Sequence, residues 1–128
     1  MSPSPANASP NCTAMSDVLN RVGDKWSVMV VGQLKDGPVR FNTLRRSIGG
    51  ISQRMLTLTL RNLERDGLVT RTIYAEVPPR VEYELTTLGE TLFPAINALW
   101  DWAVTHHDDI MSSRDAFDAR NGLRQAAE

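Results

Sequence analysis

The chain has 128 residues, 41% hydrophobic and 23% charged, which suits one folded domain with short tails and excludes a wholly disordered chain. It has no apolar run of about 18 residues that would span a membrane. Its single cysteine, Cys12, excludes an intrachain disulfide framework and a multi-cysteine zinc site.

Residues 1–11 are rich in Pro, Ser, Asn and Ala. They lack the basic cluster and apolar stretch of a signal peptide and read as a flexible N-terminal tail, so a cytoplasmic protein is expected. From Ser16 to Leu34 the apolar positions suit helix. Gly23-Asp24 interrupts them, so two short helices are predicted, the second capped by Asp24. Asp36-Gly37-Pro38 ends the second. Val39-Arg40-Phe41 reads as a short link, and Asn42 as the N-cap of a helix with Phe41, Leu44 and Ile48 on its apolar face. Gly49-Gly50 closes that helix. Ser52 caps the next, which runs through Leu56, Leu60 and Leu63 to Asp66 and stops at Gly67. Two helices joined by a tight glycine-bearing turn form a helix-turn-helix.

After Gly67 the period changes. Leu68 to Tyr74 is rich in β-branched and aromatic residues, and Arg80 to Leu85 alternates charged with apolar residues over six positions. Both are predicted strands, joined as a hairpin by a loop that Pro78-Pro79 stiffens. Thr86 or Thr87 caps a long helix whose apolar positions, Leu88 through Trp100 to Ala103, keep helical spacing, with Pro94 as a candidate kink. Residues 108–128 are polar and acidic and are expected as a weak helix or a frayed tail. The fold class is therefore mainly α with a small β-hairpin wing, a winged helix-turn-helix. Its organisation is a tail over 1–11, a domain over 12–107 and an acidic C-terminal tail over 108–128.

Net charge is −1, yet charge is segregated along the chain. Residues 40–80 carry eight arginines against three acids, a net of +5, whereas residues 81–128 carry three arginines against nine acids, a net of −6. Arginine offers a planar fork of donors suited to phosphate oxygens and guanine edges. A basic surface offset by the acidic third of the chain is the plainer alternative. The second helix of the pair weighs between them. On a wheel of about 100° per residue, Gln53, Arg54, Thr57 and Arg61 share an arc of roughly 100°. Leu56, Leu60 and Leu63 form a separate stripe for the core. Glutamine pairs with adenine, arginine with guanine, and threonine touches phosphate or a thymine methyl. These four are the candidate base-reading residues. The helix N-terminus at Ser52 can receive a phosphate. Arg45 and Arg46, together with Arg71 and Arg80 on the wing, would fix register on the backbone, the wing lying along it or entering the minor groove.

The stretch from Gly23 to Trp102 resembles the HxlR-type winged helix-turn-helix regulators, relatives of the MarR group. The likeness rests on Gly23-Asp24-Lys25-Trp26, Gly37-Pro38-Val39-Arg40-Phe41-Asn42-Thr43-Leu44, Ile48 to Thr57, Leu60 to Val69, Val77-Pro78-Pro79-Arg80-Val81-Glu82-Tyr83 and Leu85-Thr86-Thr87-Leu88-Gly89. It covers about two-thirds of the chain, and ordered blocks of that length are far more specific than one short motif. The resemblance implies a homodimeric, cytoplasmic transcriptional regulator that binds operator DNA. Its N- and C-terminal helices would serve dimerisation, here residues 15–22 and 88–105. Two-fold symmetry would then set two recognition helices about 34 Å apart on a pseudo-palindrome.

In several members of that family a cysteine before the first helix senses oxidants or electrophiles. Cys12 is the corresponding candidate redox sensor, although Thr13 stands where proline is frequent. An inert thiol in a loose tail is the alternative. His106-His107 point about 100° apart on a helix and cannot easily share one ion, so no metal is expected. Trp26, Trp100 and Trp102 read as core and dimer packing. No cofactor and no catalysis are expected, since there is no nucleophile-base-acid set and no phosphate-cradling glycine loop. A winged-helix protein-interaction module without DNA binding is the main rival, and a small thiol enzyme built on Cys12 the second.

Overall fold

The computed structural model describes residues 10–22 and 24–127; residues 1–9 of the expected tail, together with Gly23 and Glu128, lie outside them. In chain order the elements are α1 (Pro10–Val22), α2 (Lys25–Gln33), β1 (Val39–Arg40), α3 (Phe41–Ser47), α4 (Gln53–Arg65), β2 (Val69–Tyr74), β3 (Arg80–Leu85) and α5 (Thr87–Ala127). Residues up to Ile96 form one compact unit, and Asn97–Glu128 a second that is helix throughout its described length.

In the first unit α2, α3 and α4 enclose a core with the sheet. Val30, Val31, Leu34, Leu44, Leu56, Leu60, Leu63 and Val69 are all essentially inaccessible. Asp24 caps α2 as expected, its carboxylate accepting from the Trp26 N–H at 3.0 Å and from the Ser27 hydroxyl at 3.3 Å. Gly50 makes the turn between α3 and α4 at φ +84°, a conformation that glycine adopts without steric penalty.

The sheet is antiparallel with order β1-β3-β2. Val69 pairs with Leu85 and Tyr74 with Arg80 at the two ends of the hairpin, and Val39 pairs with Tyr83 across the other edge of β3. The alternation in β3 is realised: Tyr83 and Leu85 are buried and Glu84 is exposed. The Val77-Pro78 peptide in the hairpin loop is cis.

Three details differ from the sequence reading. The segment expected as a link holds the short strand β1, because its backbone completes the free edge of β3. Helix α3 starts at Phe41, so its N-cap is Arg40 and no side chain caps it; Asn42 lies inside the helix. Helix α1 starts at Pro10 rather than Ser16, since proline is tolerated in a first helical turn. Cys12 therefore lies in the first turn of α1, not ahead of it. The acidic stretch from 108 onward is helix up to Ala127. No helix among the described residues is long and apolar enough to cross a membrane.

Candidate nucleic-acid interface

Helix α4 is built to present one face. Ser52 is its N-cap, with the side-chain oxygen accepting from the Met55 N–H at 3.0 Å. Leu56, Leu60 and Leu63 are 0–1% exposed and anchor the helix on the core. At about 25 cal/mol per Å² of apolar surface, each buried leucine stabilises this orientation by about 1.5–3 kcal/mol. The adjoining, solvent-facing side carries Gln53, Arg54, Thr57 and Arg61, all exposed. The structure thus brings the four expected residues onto one free face. Thr57 is partly committed: its hydroxyl donates to the Gln53 carbonyl at 2.9 Å, which leaves its methyl and its lone pairs outward.

The expected backbone residues fall into two groups. Arg45 and Arg46 are exposed in the last turn of α3. There they also complement the negative end of that helix's dipole. Like Arg54 and Arg61, they have no acidic partner among the described residues. The wing arginines are engaged. Arg71 Nε lies 3.7 Å from Glu64 Oε1, which ties β2 to α4. Arg80 lies 3.2 Å from Glu76 and 3.3 Å from Glu82 and stacks over the Tyr74 ring at 4.1 Å. At these exposures the pairs contribute little to stability. They do reduce the charge that the wing offers to an approaching anion.

Sequence reasoning missed three features. Leu58 is 50% exposed on α4, about 140° from Gln53 on the same wheel and so beside Arg54. It belongs neither to the leucine stripe nor to the polar face drawn from the sequence. Thr59 is buried, and its hydroxyl has no hydrogen-bond partner among the described residues. The Glu64–Arg71 pair left no signal, because strand β2 reaches α4 only through the fold. Below that pair, burial pushes the Tyr83 phenol above its ordinary pKa; the nearby Arg71 opposes this and Glu64 adds to it.

The remaining candidates lie elsewhere. Cys12 is exposed on α1. Trp100 and Trp102 are exposed, at 56% and 54%. The Trp102 ring lies 5.0 Å from that of His106. Among the described residues no three His, Cys, Asp or Glu side chains cluster as metal ligands do.

Residues 21–111 match the HxlR-like helix-turn-helix family. The chain is 51% identical over 84 residues to an uncharacterized HTH-type transcriptional regulator of Methanothermobacter thermautotrophicus, covering 66% of this chain and 64% of that relative. The structure is similar to that of the transcriptional regulator YtfH from Salmonella typhimurium, at a TM-score of 0.74 and 40% identity over 79% of this chain and 90% of that one. It is also similar to the redox regulator HypR in its reduced form, at a TM-score of 0.73 and 42% identity over 77% and 98% of the two chains. The chain belongs to the HxlR-like helix-turn-helix family of transcriptional regulators.

Proposed function

We propose that this regulator binds duplex DNA sequence-specifically as a homodimer, with α4 in the major groove and the β2–β3 wing on the backbone or in the minor groove. The observation that carries this reading is the exposed face of α4. Gln53, Arg54, Thr57 and Arg61 are exposed on a helix anchored by three fully buried leucines, inside the segment of net charge +5. Gln53, Arg54, Thr57 and Arg61 read base edges. Arg45 and Arg46 neutralise phosphates, as does the α4 N-terminus at Ser52. Arg71 and Arg80 join them only by exchanging their carboxylate partners for DNA. The dimer forms through residues 15–22 and 88–105, and the protein works without catalysis or cofactor in the cytoplasm, where operator DNA lies.

Selection of bound duplexes from random DNA, at two salt concentrations, tests the reading. The expected result is a pseudo-palindrome with half-sites about 10 base pairs apart, and an affinity that falls steeply with salt. Absence of any duplex retention would leave a protein-interaction module instead.

We further propose that Cys12 makes DNA binding responsive to oxidants. The likeness to a protein described as a redox regulator supports this, as does the exposed position of Cys12 in the first turn of α1. Diamide is expected to change the DNA affinity of the wild type but not of Cys12→Ser. Equal responses would remove Cys12 from the mechanism.

A further inference from the structure

Helix α4 carries one large apolar side chain that its packing leaves outside. Burial sets which way the helix points. With Gln53 at 0° on a wheel of about 100° per residue, the buried Leu56, Thr59, Leu60 and Leu63 centre at roughly 290°. The outward direction is then about 110°. The side chains nearest to it are Arg54, Arg61, Arg65 and Leu58, at about 100°, 80°, 120° and 140°. All four are exposed, Leu58 by 50%. Leu58 follows Arg54 by four residues and precedes Arg61 by three, so it is the neighbour of both on the helix surface. The most outward strip of the helix is therefore not uniformly cationic. A leucine stands between two arginines that have no acidic partner among the described residues. Met55, 37% exposed, lies about 60° to its other side.

An exposed leucine by itself calls for no explanation. This one is distinguished by what surrounds it. A helix that only tracked the backbone would gain nothing from leucine at its outermost point, since a phosphate offers an isobutyl group no partner. The base edges of the major groove do offer one: the C5-methyl of thymine is their single apolar group. Arginine on either side favours guanine. A leucine between the two complements a groove in which a thymine methyl lies close to a guanine. The spacing agrees. Arg54 and Leu58 are about 6 Å apart along the axis at about 1.5 Å per residue, and base pairs stack about 3.4 Å apart. The methyl is thus expected within about two base pairs of the guanine that Arg54 reads.

We propose that Leu58 is a further specificity-determining residue of α4, which reads the C5-methyl of one thymine in each half-site. The inference rests on the proposed DNA reading and adds an apolar contact to its polar ones.

The test uses the full chain and the duplex it selects from random DNA. Each thymine of one half-site is replaced in turn by deoxyuridine, which lacks only the methyl and keeps the pairing hydrogen bonds. One such replacement, near the guanine to which Arg54→Ala is indifferent, is expected to weaken wild-type binding by about fourfold, as loss of one buried methyl does. Leu58→Ala should lose about four- to tenfold on the thymine duplex, with circular dichroism and thermal midpoint unchanged, and should not respond to that deoxyuridine. Leu58→Gln, selected afresh from random DNA, should exchange thymine for adenine at this position alone. Equal losses by wild type and Leu58→Ala at every deoxyuridine would overturn the proposal, as would undiminished operator affinity of Leu58→Ala. It would also fall if Leu58→Ala lowered the sedimentation mass of the free protein, since the side chain would then serve a protein contact. A wild type that selects an operator but tolerates every deoxyuridine refutes the role of Leu58 alone. A wild type that retains no duplex refutes the DNA reading and this role with it.

Discussion

Arg54 and Arg46 are both exposed arginines without an acidic partner among the described residues, yet the proposed DNA reading gives them different tasks. Arg54 leaves the first turn of α4, where a side chain reaches base edges when the helix enters a groove. Arg46 leaves the end of α3, which crosses the backbone in a helix-turn-helix. Arg54→Ala is therefore expected to weaken operator binding by about 1–3 kcal/mol and to relax preference at one base position, whereas Arg46→Ala weakens all sequences alike and lowers the salt slope by about one. Affinities measured on single-base operator variants at several salt concentrations separate the two, and matching profiles for both variants would refute the assignment of α4. Tyr83 makes a prediction about stability. Burial favours its neutral phenol and raises the pKa from 10.0. Its contribution is then intact below about pH 10 and declines as pH rises through the higher folded value, because the unfolded chain releases the proton first. Urea unfolding at about pH 8 and about pH 10.5 should show a loss of stability that Tyr83→Phe diminishes.

At the scale of elements, periodicity and punctuation made most of the first unit legible. The leucine stripe of α4 and the Asp24 and Ser52 caps are local patterns, and so is the alternation in β3. For the same reason the exposed polar face of α4 could be drawn from the sequence. What stayed hidden depends on partners distant in the chain. Two residues of β1 carry no period, and only the edge of β3 makes them a strand. The engagement of Arg71 by Glu64 arises only where β2 meets α4, and that of Arg80 by Glu76 and Glu82 only where the hairpin closes. The Leu-Thr-x-x-Gly block belongs to this class too. Thr86 Oγ1 accepts from the Gly89 N–H at 3.0 Å and donates to the Gly67 carbonyl at 2.6 Å, drawing the start of α5 onto the end of the α4–β2 turn. A Cβ on Gly89 would overlap the Leu68 carbonyl oxygen and come within 3.2 Å of a Leu85 methyl. Alanine is normally the better helix residue by about 1 kcal/mol. Here a backbone group stands in the way, so Gly89→Ala should destabilise by about 1–3 kcal/mol. Gly122 lies in the same helix with nothing within 4 Å of its would-be Cβ, and Gly122→Ala should be neutral or stabilising. Denaturant midpoints of the two variants should move apart; a shift in the same direction would mean that the Leu68 contact does not constrain α5.

For the molecule as a whole, the surface that remains exposed is informative. Every described side chain of α1 from residue 11 to 20 is exposed, including Met15, Val18 and Leu19. A helix of 13 residues is marginal in water without a packed face. Leu99, Trp100, Trp102 and Val104 are likewise more than half exposed, and large aromatic residues so placed mark association surfaces. If a second copy covers them, folding and association are linked, and the thermal midpoint must rise with protein concentration. The same linkage reaches DNA. Two half-sites joined in one dimer bind with an effective concentration that a monomer lacks, so removing dimer contacts weakens operator binding without touching α4. Leu19→Ser combined with Trp100→Ser is therefore expected to give a monomer in sedimentation equilibrium and to lose far more affinity for the full operator than for an isolated half-site. A monomeric wild type that binds the full operator no more tightly than a half-site would overturn the dimer. A monomeric double variant with undiminished operator affinity would show that each chain reads DNA alone.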